Sequence, residues 1–465
     1  MTTSRQNRRD YDLRDWLYQL DSTDRLAVIK PGALLKFELA GIANRLDGRQ
    51  ASYFPEPSGH NIPVVSGLIS DRAWMAEALG LEEAELVPAF QNAVANPLSV
   101  TRVKTAPCQE VVHEDPDLEA LLPVPTHNEF DSGPYIAAGL AITKSTKTGA
   151  QNVSIHRLQV SGPKELGALF LPRHTLALFE EVEKDDQDLD IAIVIGTSPA
   201  TLLASQAVVP LGFDELQIAG ALGGASLEVV KCIGSDIQIP AAAEIVIEGR
   251  IVANTKALEG PFGEFPQYYG ERAERHVIKV ERVTHRNNPI FHTIVGGGLE
   301  HLLLGAIPRE STILSTLQRN FSCVKNAVLT MGGIHRYHLV IQVEDPKPGE
   351  AKNILLAAFG SHYDIKQAII VDSDVDIFDS NKVEWAVATR FQGDNDLVTI
   401  HNAQGSKLDP STRDGIGSKL GYDATVPCDA PEFKYTTIRV PGEEDIDLEE
   451  KVDAGARLKN LRDEL

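Results

Sequence analysis

The sequence predicts a mixed α/β fold (α+β), because three successive stretches carry three different hydrophobic patterns. Residues 1–104 combine helical spacing with short strand-like runs, as expected of a small mixed N-terminal domain. Residues 135–298 are dominated by strand-like runs separated by Gly, Pro and Asn, which favours an antiparallel, barrel-like domain. Helix and strand patterns alternate over 299–465, which is typical of an α/β domain. Residues 105–134, with several prolines and acidic side chains, are predicted to be a connector.

The individual elements follow from the period of the apolar residues. In the first stretch we predict helices at 12–20 and 71–94 and strands at 26–31 and 62–69. The middle stretch contains six predicted strands, at 135–145, 152–160, 190–196, 243–254, 276–285 and 289–296. The last stretch is predicted to contain strands at 336–344 and 367–378 and helices at 308–320, 350–362 and 443–465.

Composition limits the class of protein. A chain of 465 residues is too long for one ordinary core, so several domains are expected. The formal net charge of -22 argues against general binding to nucleic acid or to an anionic membrane, because both need a basic surface. We find no apolar signal segment and no window approaching the roughly 18 apolar residues of a membrane span, so we expect a cytoplasmic protein. The four cysteines lack the short spacing of a metal or redox motif and are predicted to be buried thiols: Cys108, Cys232, Cys323 and Cys428.

Two carboxylates frame a tight turn in the middle stretch. Glu259 and Glu264 flank the sequence Gly-Pro-Phe-Gly, whose glycines let the backbone bend sharply enough to aim both acids into one cleft. Paired carboxylates in a poorly hydrated site have separated pKa values, so that one group can hold and deliver a proton near neutral pH. The alternative is a surface hairpin with solvated acids, which is common for acidic residues.

A second polar motif is the run 151–157, which is predicted to lie on a strand. Asn152, Ser154 and His156 alternate and therefore share one face, and Arg157 stands at the end of the run. The guanidinium of Arg157 has the donor geometry for a carboxylate or a phosphate. The alternative is an edge strand with an ordinary surface ion pair.

These motifs occur in a specific order and spacing. Asn152 to Arg157, the sequence Pro-Arg-His ending at His174, Glu215, and the turn from Glu259 to Glu264 together resemble the UbiD decarboxylase family. The resemblance continues through 227–232, 371–378 and 383–390, and so covers most of the chain from about residue 60 to 430. It implies a split β-barrel that binds flavin in the middle domain and a C-terminal domain that mediates oligomerisation.

The resemblance implies a metal-tethered flavin. Asn152, His174 and Glu215 would be the ligands of Mn²⁺ (or Mg²⁺), and their mixed nitrogen and oxygen donors suit such a cation. The ion would tie the phosphate of prenylated FMN to a strongly acidic chain, with K⁺ as a further candidate ion. The flavin site would be lined by Ser154, Ile155, His156, Arg157 and Arg173, with Arg173 a phosphate partner. A phosphate-binding lysine of the family has no clear counterpart: Lys366 lies nearby, but the register points to His362 and Tyr363.

The implied reaction is a non-oxidative decarboxylation, in principle reversible. Loss of CO₂ from an sp² carbon needs an electron sink that no side chain provides, and in the family prenylated FMN is that sink. The resemblance assigns Glu264 as the general acid, with Glu259 and Arg157 as an ion-paired set that positions the cofactor and tunes Glu264. A non-catalytic flavin- or metal-binding protein and a metal hydrolase built on Asn152, His174 and Glu215 remain alternatives.

Substrate selection is expected in loops after the barrel, over 296–309 and 333–336. These resemble the heteroaromatic branch of the family, where furan-2,5-dicarboxylate decarboxylases hold the diacid with one His and two Arg, here His301, Arg309 and Arg336. Arg309 could instead pair with Glu310, and Arg336 could line a subunit contact. Pyrrole-2-carboxylate and indole-3-carboxylate therefore remain alternative substrates. The family also implies a flavin prenyltransferase of the UbiX type as cofactor supplier and a homodimer or homohexamer.

Overall fold

The computed structural model describes residues 11–431 and 433–452, and the chain divides into two compact units, Met1–Thr425 and Val426–Leu465. The mixed α/β class is confirmed. Among the described residues of the first unit, one mainly antiparallel sheet is flanked along the chain by a smaller sheet and by a mixed five-stranded sheet. No helix in the described part of the chain has the length and apolar character needed to cross a membrane.

The N-terminal stretch of the first unit contains four helices and three strands. The helices are α1 (Leu13–Ser22), α2 (Glu38–Leu46), α3 (Arg72–Ala78) and α4 (Leu86–Ala95), and the strands are β1 (Leu26–Val28), β2 (Ala51–Phe54) and β3 (Val64–Ser66). The single helix predicted over 71–94 is wrong. Gly80 adopts a φ of +66° and the Leu81 N–H donates to the Ala76 carbonyl, which together form a glycine C-cap that ends α3.

The middle stretch is built around a nine-stranded sheet. The elements from 101 to 298 are, in chain order, β4 (Thr101–Val103), β5 (Val111–His113), α5 (Leu118–Leu121), β6 (Tyr135–Ile136), β7 (Leu140–Lys144), β8 (Gln151–Ile155), β9 (Leu158–Gly162), β10 (Glu165–Ala168), α6 (His174–Glu183), β11 (Leu189–Ile195), α7 (Pro199–Ala204), α8 (Glu215–Leu222), β12 (Glu228–Lys231), β13 (Gln238–Pro240), β14 (Ile245–Glu259), β15 (Phe262–Gly263), β16 (Tyr269–Gly270), β17 (Ala273–His285) and β18 (Phe291–His292). The sheet order is β6-β9-β10-β17-β14-β11-β7-β8, and β5 also pairs with β17.

Two strand predictions in this sheet need correction. The run 135–145 is divided into β6 and β7, which pair with different neighbours, β9 and β11. The run 152–160 does not form a single strand: β8 ends at Ile155 and β9 begins at Leu158. His156 and Arg157 form the link between these strands. β8 pairs with β7, whereas β9 pairs with β10. The interruption lets the Arg157 side chain leave the strand direction and reach the turn between the two glutamates.

The third stretch forms a five-stranded sheet with three helices. Its elements are α9 (Leu299–Gln318), β19 (Val324–Leu329), β20 (His338–Val343), α10 (Glu350–Ser361), β21 (Gln367–Asp372), α11 (Ser380–Arg390), β22 (Leu397–Gln404) and β23 (Ile416–Ala424). The sheet order is β19-β20-β21-β23-β22, with β20, β21 and β23 parallel. Helix α9 begins nine residues before the predicted start at Pro308, which lies inside the helix. The predicted strand 367–378 ends at Asp372.

Other expectations have mixed outcomes. Cys108, Cys232 and Cys323 are buried as predicted, but Cys428 is exposed, because it lies beyond the last strand in the second unit. Of the helix predicted over 443–465, the structure describes a 3₁₀ turn at Glu443–Asp445 and the short helix α12 (Leu448–Lys451). Residues 453–465 lie outside the described part.

Candidate active site

The two glutamates of the turn converge on one guanidinium. Glu259 is the last residue of β14, and Glu264 follows the short strand β15. Gly260 has a φ of +88°, and a Cβ there would lie 2.8 Å from the Glu271 carbonyl oxygen, so the turn requires glycine at this point. The Arg157 Nη2 donates to Glu259 Oε2 at 2.8 Å, and its Nη1 donates to Glu264 Oε1. The surface hairpin with solvated acids is therefore excluded.

This ion-paired group is shielded from solvent. The side chains of Arg157, Glu259 and Glu264 are 7%, 1% and 12% exposed. Gly270 on the facing strand leaves room for the guanidinium, since a Cβ there would lie 2.6 Å from Arg157 Nη1. Burial raises the pKa of Glu264, and the charge of Arg157 opposes this rise. Glu264 is thus the carboxyl group of the pair that can carry a proton.

Tyr135, which the sequence analysis did not select, orients the other carboxylate. Its hydroxyl donates to Glu259 Oε1 at 3.0 Å and lies 3.1 Å from the Ser132 hydroxyl. The phenol ring contacts Phe262 within the turn, with ring centroids 4.3 Å apart. Glu259 therefore accepts a hydrogen bond on each of its oxygens, which fixes the orientation of its carboxylate. In the sequence, Tyr135 is recognisable only as the first residue of a predicted strand, which does not indicate a functional role.

The three predicted metal ligands come from three different elements. Asn152 lies on β8, His174 begins α6 and Glu215 begins α8. Asn152 Oδ1 lies 3.2 Å from His174 Nδ1. Glu215 Oε2 accepts a hydrogen bond of 2.8 Å from the backbone N–H of Val153, next to Asn152. The fold thus brings the donor atoms of all three residues to one end of β8.

The donor set fits a hard divalent cation. Octahedral coordination at the bond lengths of such ions separates neighbouring ligand atoms by about 3 Å, close to the Asn152–His174 separation of 3.2 Å. Glu215 is 3% exposed, and its burial raises its pKa to about 8, so the carboxylate lacks a compensating charge that a metal ion would supply. Within the described residues no three His, Cys, Asp or Glu side chains form a metal site. The amide of Asn152 is the third donor here.

The remaining residues predicted for the flavin site lie around these ligands. Ser154 and His156 hydrogen-bond to one another at 2.9 Å, and Ile155 closes the strand between them. Arg173 is exposed immediately before His174, and its Nη2 donates to the Tyr363 hydroxyl at 3.0 Å. An exposed guanidinium beside the ligand triplet has the chemistry to meet a phosphate.

Lys366, which lies near the position expected for a phosphate-binding lysine, forms hydrogen bonds with other side chains. Lys366 Nζ donates to Asp409 at 2.8 Å and to Ser411 at 2.6 Å. Instead, the buried Lys419 on β23 donates to the backbone carbonyls of Tyr363 and Ile365, at 2.8 and 2.6 Å. Lys419 therefore holds the segment that places Tyr363 beside Arg173. The sequence offered no signal for it, because a lysine in an edge hairpin is ordinarily solvated.

The three predicted substrate residues lie close to this segment, and two of them are on a helix where a loop was expected. His301 and Arg309 lie on α9, whereas Arg336 lies in the turn before β20, as predicted. Arg336 donates to the carbonyls of Leu302 and His335, at 3.1 and 3.0 Å. Arg309 donates to the carbonyl of Gly305 at 2.6 Å. The close approach of Arg336 to α9 requires glycine at 305, where a Cβ would lie 1.6 Å from Arg336 Nη2.

In the described part of the chain, neither of these two guanidiniums forms an ion pair. Glu310, the expected alternative partner of Arg309, is bound by Arg72 at 2.9 Å. Burial lowers the pKa of Arg309 and lowers that of Arg336 further, and the charge of Asp364 opposes this fall at both groups. Arg173 adds to the fall at both groups, and Arg309 adds to it at Arg336. Burial likewise lowers the pKa of His301 to about 3, with Arg336 and Arg309 adding to the effect. A buried cationic pair of this kind favours an anionic ligand.

One ring connects this cationic pair to the catalytic turn. Phe265 directly follows Glu264, and its ring centroid lies 6.4 Å from that of His301 and 5.7 Å from that of Tyr337. The sequence analysis did not select Phe265. In the structure, the Phe265 ring forms a wall between the Glu264 carboxyl group and the two arginines.

Comparison with known proteins agrees with this geometry. Three sequence profiles match: the N-terminal domain of 3-octaprenyl-4-hydroxybenzoate carboxy-lyase over residues 17–94, its Rift-related domain over 100–299 and its C-terminal domain over 302–424. An anhydromevalonate phosphate decarboxylase from Methanosarcina mazei is 37% identical over 414 residues, which cover 89% of this chain and 95% of that protein.

Solved structures extend the likeness. The UbiD-class enzyme HmfF from Pelotomaculum thermopropionicum, in complex with FMN, superposes with a TM-score of 0.93 at 44% identity, covering 95% of this chain and 100% of that one. An evolved dimeric form of HmfF in complex with prFMN gives a TM-score of 0.89 at 42% identity, with the same coverage. The chain belongs to the UbiD family. It is a carboxy-lyase, and this identification sets aside the hydrolase and the non-catalytic alternatives.

Proposed function

We propose that the chain is a prenylated-FMN-dependent decarboxylase of a small heteroaromatic diacid, with furan-2,5-dicarboxylate as the best candidate. The observation that carries this proposal is the pair formed by the half-buried Arg309 and the buried Arg336, neither of which forms an ion pair among the described residues. A substrate with a second carboxylate would supply the missing charge.

Asn152, His174 and Glu215 would hold Mn²⁺ or Mg²⁺, and Arg173 would meet the flavin phosphate. The family relatives HmfF with FMN and with prFMN support this cofactor. When bound, prenylated FMN supplies the electron sink that decarboxylation at an sp² carbon requires. The ion would also explain how a chain of net charge -22 retains a phosphate ester.

The protein's own part in the reaction is to position the substrate and to move one proton. Arg157 and Tyr135 fix Glu259 in position, and Arg157 holds Glu264 at the same site. Burial favours the protonated form of Glu264, so that its carboxyl can deliver a proton to the carbon that loses CO₂. The low exposure of all three side chains excludes water that would compete as a proton source.

His301, Arg309 and Arg336 would fix the end of the substrate remote from the reacting carbon. The Nδ1 of His301 accepts a hydrogen bond of 3.2 Å from the Gly297 N–H, which leaves its other nitrogen as a donor to an anion or a ring oxygen. The Phe265 wall favours a flat ring in the space before Glu264.

A second candidate substrate is an unsaturated acid that carries a phosphate. The relative at 37% identity is named anhydromevalonate phosphate decarboxylase, and two guanidiniums bind a phosphate as well as a carboxylate. Both candidates share one chemical feature, an anionic group remote from the carboxylate that is lost.

The test uses protein purified with and without a co-expressed flavin prenyltransferase of the UbiX type. CO₂ release should appear only together with a modified flavin spectrum. The substrates to compare are furan-2,5-dicarboxylate, furan-2-carboxylate, pyrrole-2-carboxylate, indole-3-carboxylate and anhydromevalonate phosphate. A preference for a monoacid would refute the dianion proposal, and release of CO₂ by flavin-free protein would refute the cofactor.

We also propose a cytoplasmic homodimer or homohexamer that receives its cofactor from that prenyltransferase. One of the similar structures is described as an evolved dimeric form, which supports assembly in this family. Light scattering of the full chain measures the mass, and a monomer would contradict the proposal.

A further inference from the structure

The amide of Asn152 sits in a closed hydrogen-bond network on the side away from His174. Its Nδ2 lies 3.2 Å from Ser154 Oγ and 3.0 Å from Thr175 Oγ1. These two hydroxyls lie 3.1 Å apart, and they approach Nε2 of His156 at 2.9 and 3.1 Å. The amide oxygen faces the opposite way, toward His174 Nδ1 at 3.2 Å.

The donor and the acceptor of each hydrogen bond in this network can be assigned. The His156 ring forms a backbone hydrogen bond with Leu169 in addition to its Nε2 contacts. A neutral ring that donates to a carbonyl through one nitrogen accepts at the other, so Nε2 receives a proton from a hydroxyl. The other of the two hydroxyls donates its proton to the hydroxyl that is bound to Nε2. The remaining lone pairs of Ser154 and Thr175 then accept the two N–H bonds of Asn152.

This assignment decides which end of the amide faces the ligand site. If the amide of Asn152 were turned over, its oxygen would meet two hydroxyls whose protons are already committed, and its N–H groups would meet His174. An unmade hydrogen bond to a buried polar group is costly, so the network selects one orientation. Only that orientation presents oxygen, the amide atom that hard cations bind, to the metal position.

We propose that His156 and Thr175 are positioning residues that fix Asn152 with its oxygen turned toward the metal ion. The inference rests on the proposed metal site at Asn152, His174 and Glu215. Neither positioning residue is a ligand. Thr175 is buried and follows His174 directly at the start of α6, so one helical turn places both the ligand and the hydroxyl. The ring of His156 is held edge-on against Phe170, with centroids 4.9 Å apart.

The test measures Mn²⁺-dependent binding of FMN to the full chain after removal of flavin and metal. FMN fluorescence gives the Mn²⁺ concentration required for half-maximal binding. His156→Leu removes the terminal acceptor and Thr175→Val removes a hydroxyl at nearly constant shape. Each should raise the Mn²⁺ requirement about 10- to 100-fold, as loss of outer-shell partners does at other metal sites. Tm should fall as well, because each change leaves a buried polar group without its partner, so the Mn²⁺ requirement is compared at a temperature where every variant is folded.

Matched variants separate positioning from packing. His156→Gln keeps an acceptor near the Nε2 position and Thr175→Ser keeps the hydroxyl, so both should restore most of the wild-type Mn²⁺ requirement. A wild-type requirement in His156→Leu and Thr175→Val would overturn the inference, as would equal losses in the matched variants. Asn152→Ala tests the site itself. If FMN binding by wild type is independent of Mn²⁺ and Asn152→Ala binds normally, the proposed metal site fails, whatever the role of His156.

Discussion

The guanidinium of Arg336 lies over the ring of Phe265, with its Cζ 5.3 Å from the ring centroid. Phe265 is the residue after Glu264, so a single aromatic ring separates the proposed proton donor from the proposed anion-binding arginine. A cation over an aromatic face is favourable, and more so where water is excluded. This contact links the position of the turn to that of the proposed substrate site.

Glu264→Gln should retain flavin and metal but lose most turnover. The amide keeps the shape of the side chain but has no acidic proton to deliver, and loss of general acid catalysis costs on the order of 10² to 10⁴ in rate. The measurement is single-turnover CO₂ release by flavin-loaded protein. Glu271→Gln removes the same charge from an exposed site nearby and should leave turnover unchanged. Near-normal turnover by Glu264→Gln would refute the assignment.

The same group predicts the pH dependence of wild type. Burial raises the pKa of Glu264 above the ordinary glutamate value, so the protonated, active form persists to higher pH than in water. Turnover should therefore fall as pH rises through this raised pKa, which sets an alkaline limb in kcat. The residual activity of Glu264→Gln should lack that limb. Retention of the limb in the variant would assign it to another group.

Tyr135→Phe should destabilise the fold, because Glu259 loses a hydrogen-bond donor in a buried position. A buried acceptor oxygen left without its donor lowers the free energy of unfolding by about 1 to 3 kcal/mol. Urea denaturation measures the change. Tyr268 is 62% exposed, so Tyr268→Phe is a matched control that should change stability by less than about 0.5 kcal/mol. Equal effects of the two variants would show that the hydroxyl of Tyr135 is not needed to hold Glu259.

The turn and the ligand triplet illustrate what local pattern can predict. Glycines around Glu259 and Glu264 indicated a bend, and both acids do meet at Arg157. The link at His156 and Arg157 was missed because an alternating polar run has strand character until tertiary contacts interrupt it. Helix α9 was predicted to begin too late because Gly305 and Pro308 are weak helix formers, and packing of Arg336 against Gly305 overrides that preference.

Contacts between distant segments could not be predicted from one sequence. Tyr135 reaches Glu259 across 124 positions, and Lys419 reaches Ile365 across 54. Neither residue type carries a periodic or spacing signal, so only the strand order of the two sheets brings them to the site. The resemblance to the family pointed to the residues that are proposed to bear chemistry, whereas the residues that orient them became evident from geometry.

His174→Ala should release both metal and flavin, because the proposed ion would hold the flavin phosphate to the protein. Loss of one of three protein ligands removes a donor that neither Asn152 nor Glu215 can replace from its own element. Metal analysis and the flavin absorbance of purified protein provide the two measurements. His401 is exposed, and His401→Ala should keep both groups. Stoichiometric flavin without metal in His174→Ala would show that another anchor holds the phosphate.

Arg336→Leu should weaken turnover of a dianionic substrate far more than that of a monoacid with the same ring. A second carboxylate moved from water into a closed pocket needs a fixed cation, and loss of a charged hydrogen-bond partner costs about 1.5 to 3 kcal/mol. This corresponds to roughly one to two powers of ten in kcat/KM. Furan-2-carboxylate presents no such group, so its turnover should change little, because the leucine removes only an unpaired cation from the pocket.

The measurement for Arg336 is the ratio of kcat/KM for furan-2,5-dicarboxylate to that for furan-2-carboxylate, in wild type and variant. A ratio removes effects common to both substrates, such as lower flavin content. Arg319→Leu takes the same charge from the exposed end of α9 and should leave the ratio unchanged. Since Arg336 is 5% exposed and donates only to backbone carbonyls among the described residues, a constant ratio in Arg336→Leu would mean that its charge serves the fold and not the substrate. The enzyme would then belong with the monoacid decarboxylases.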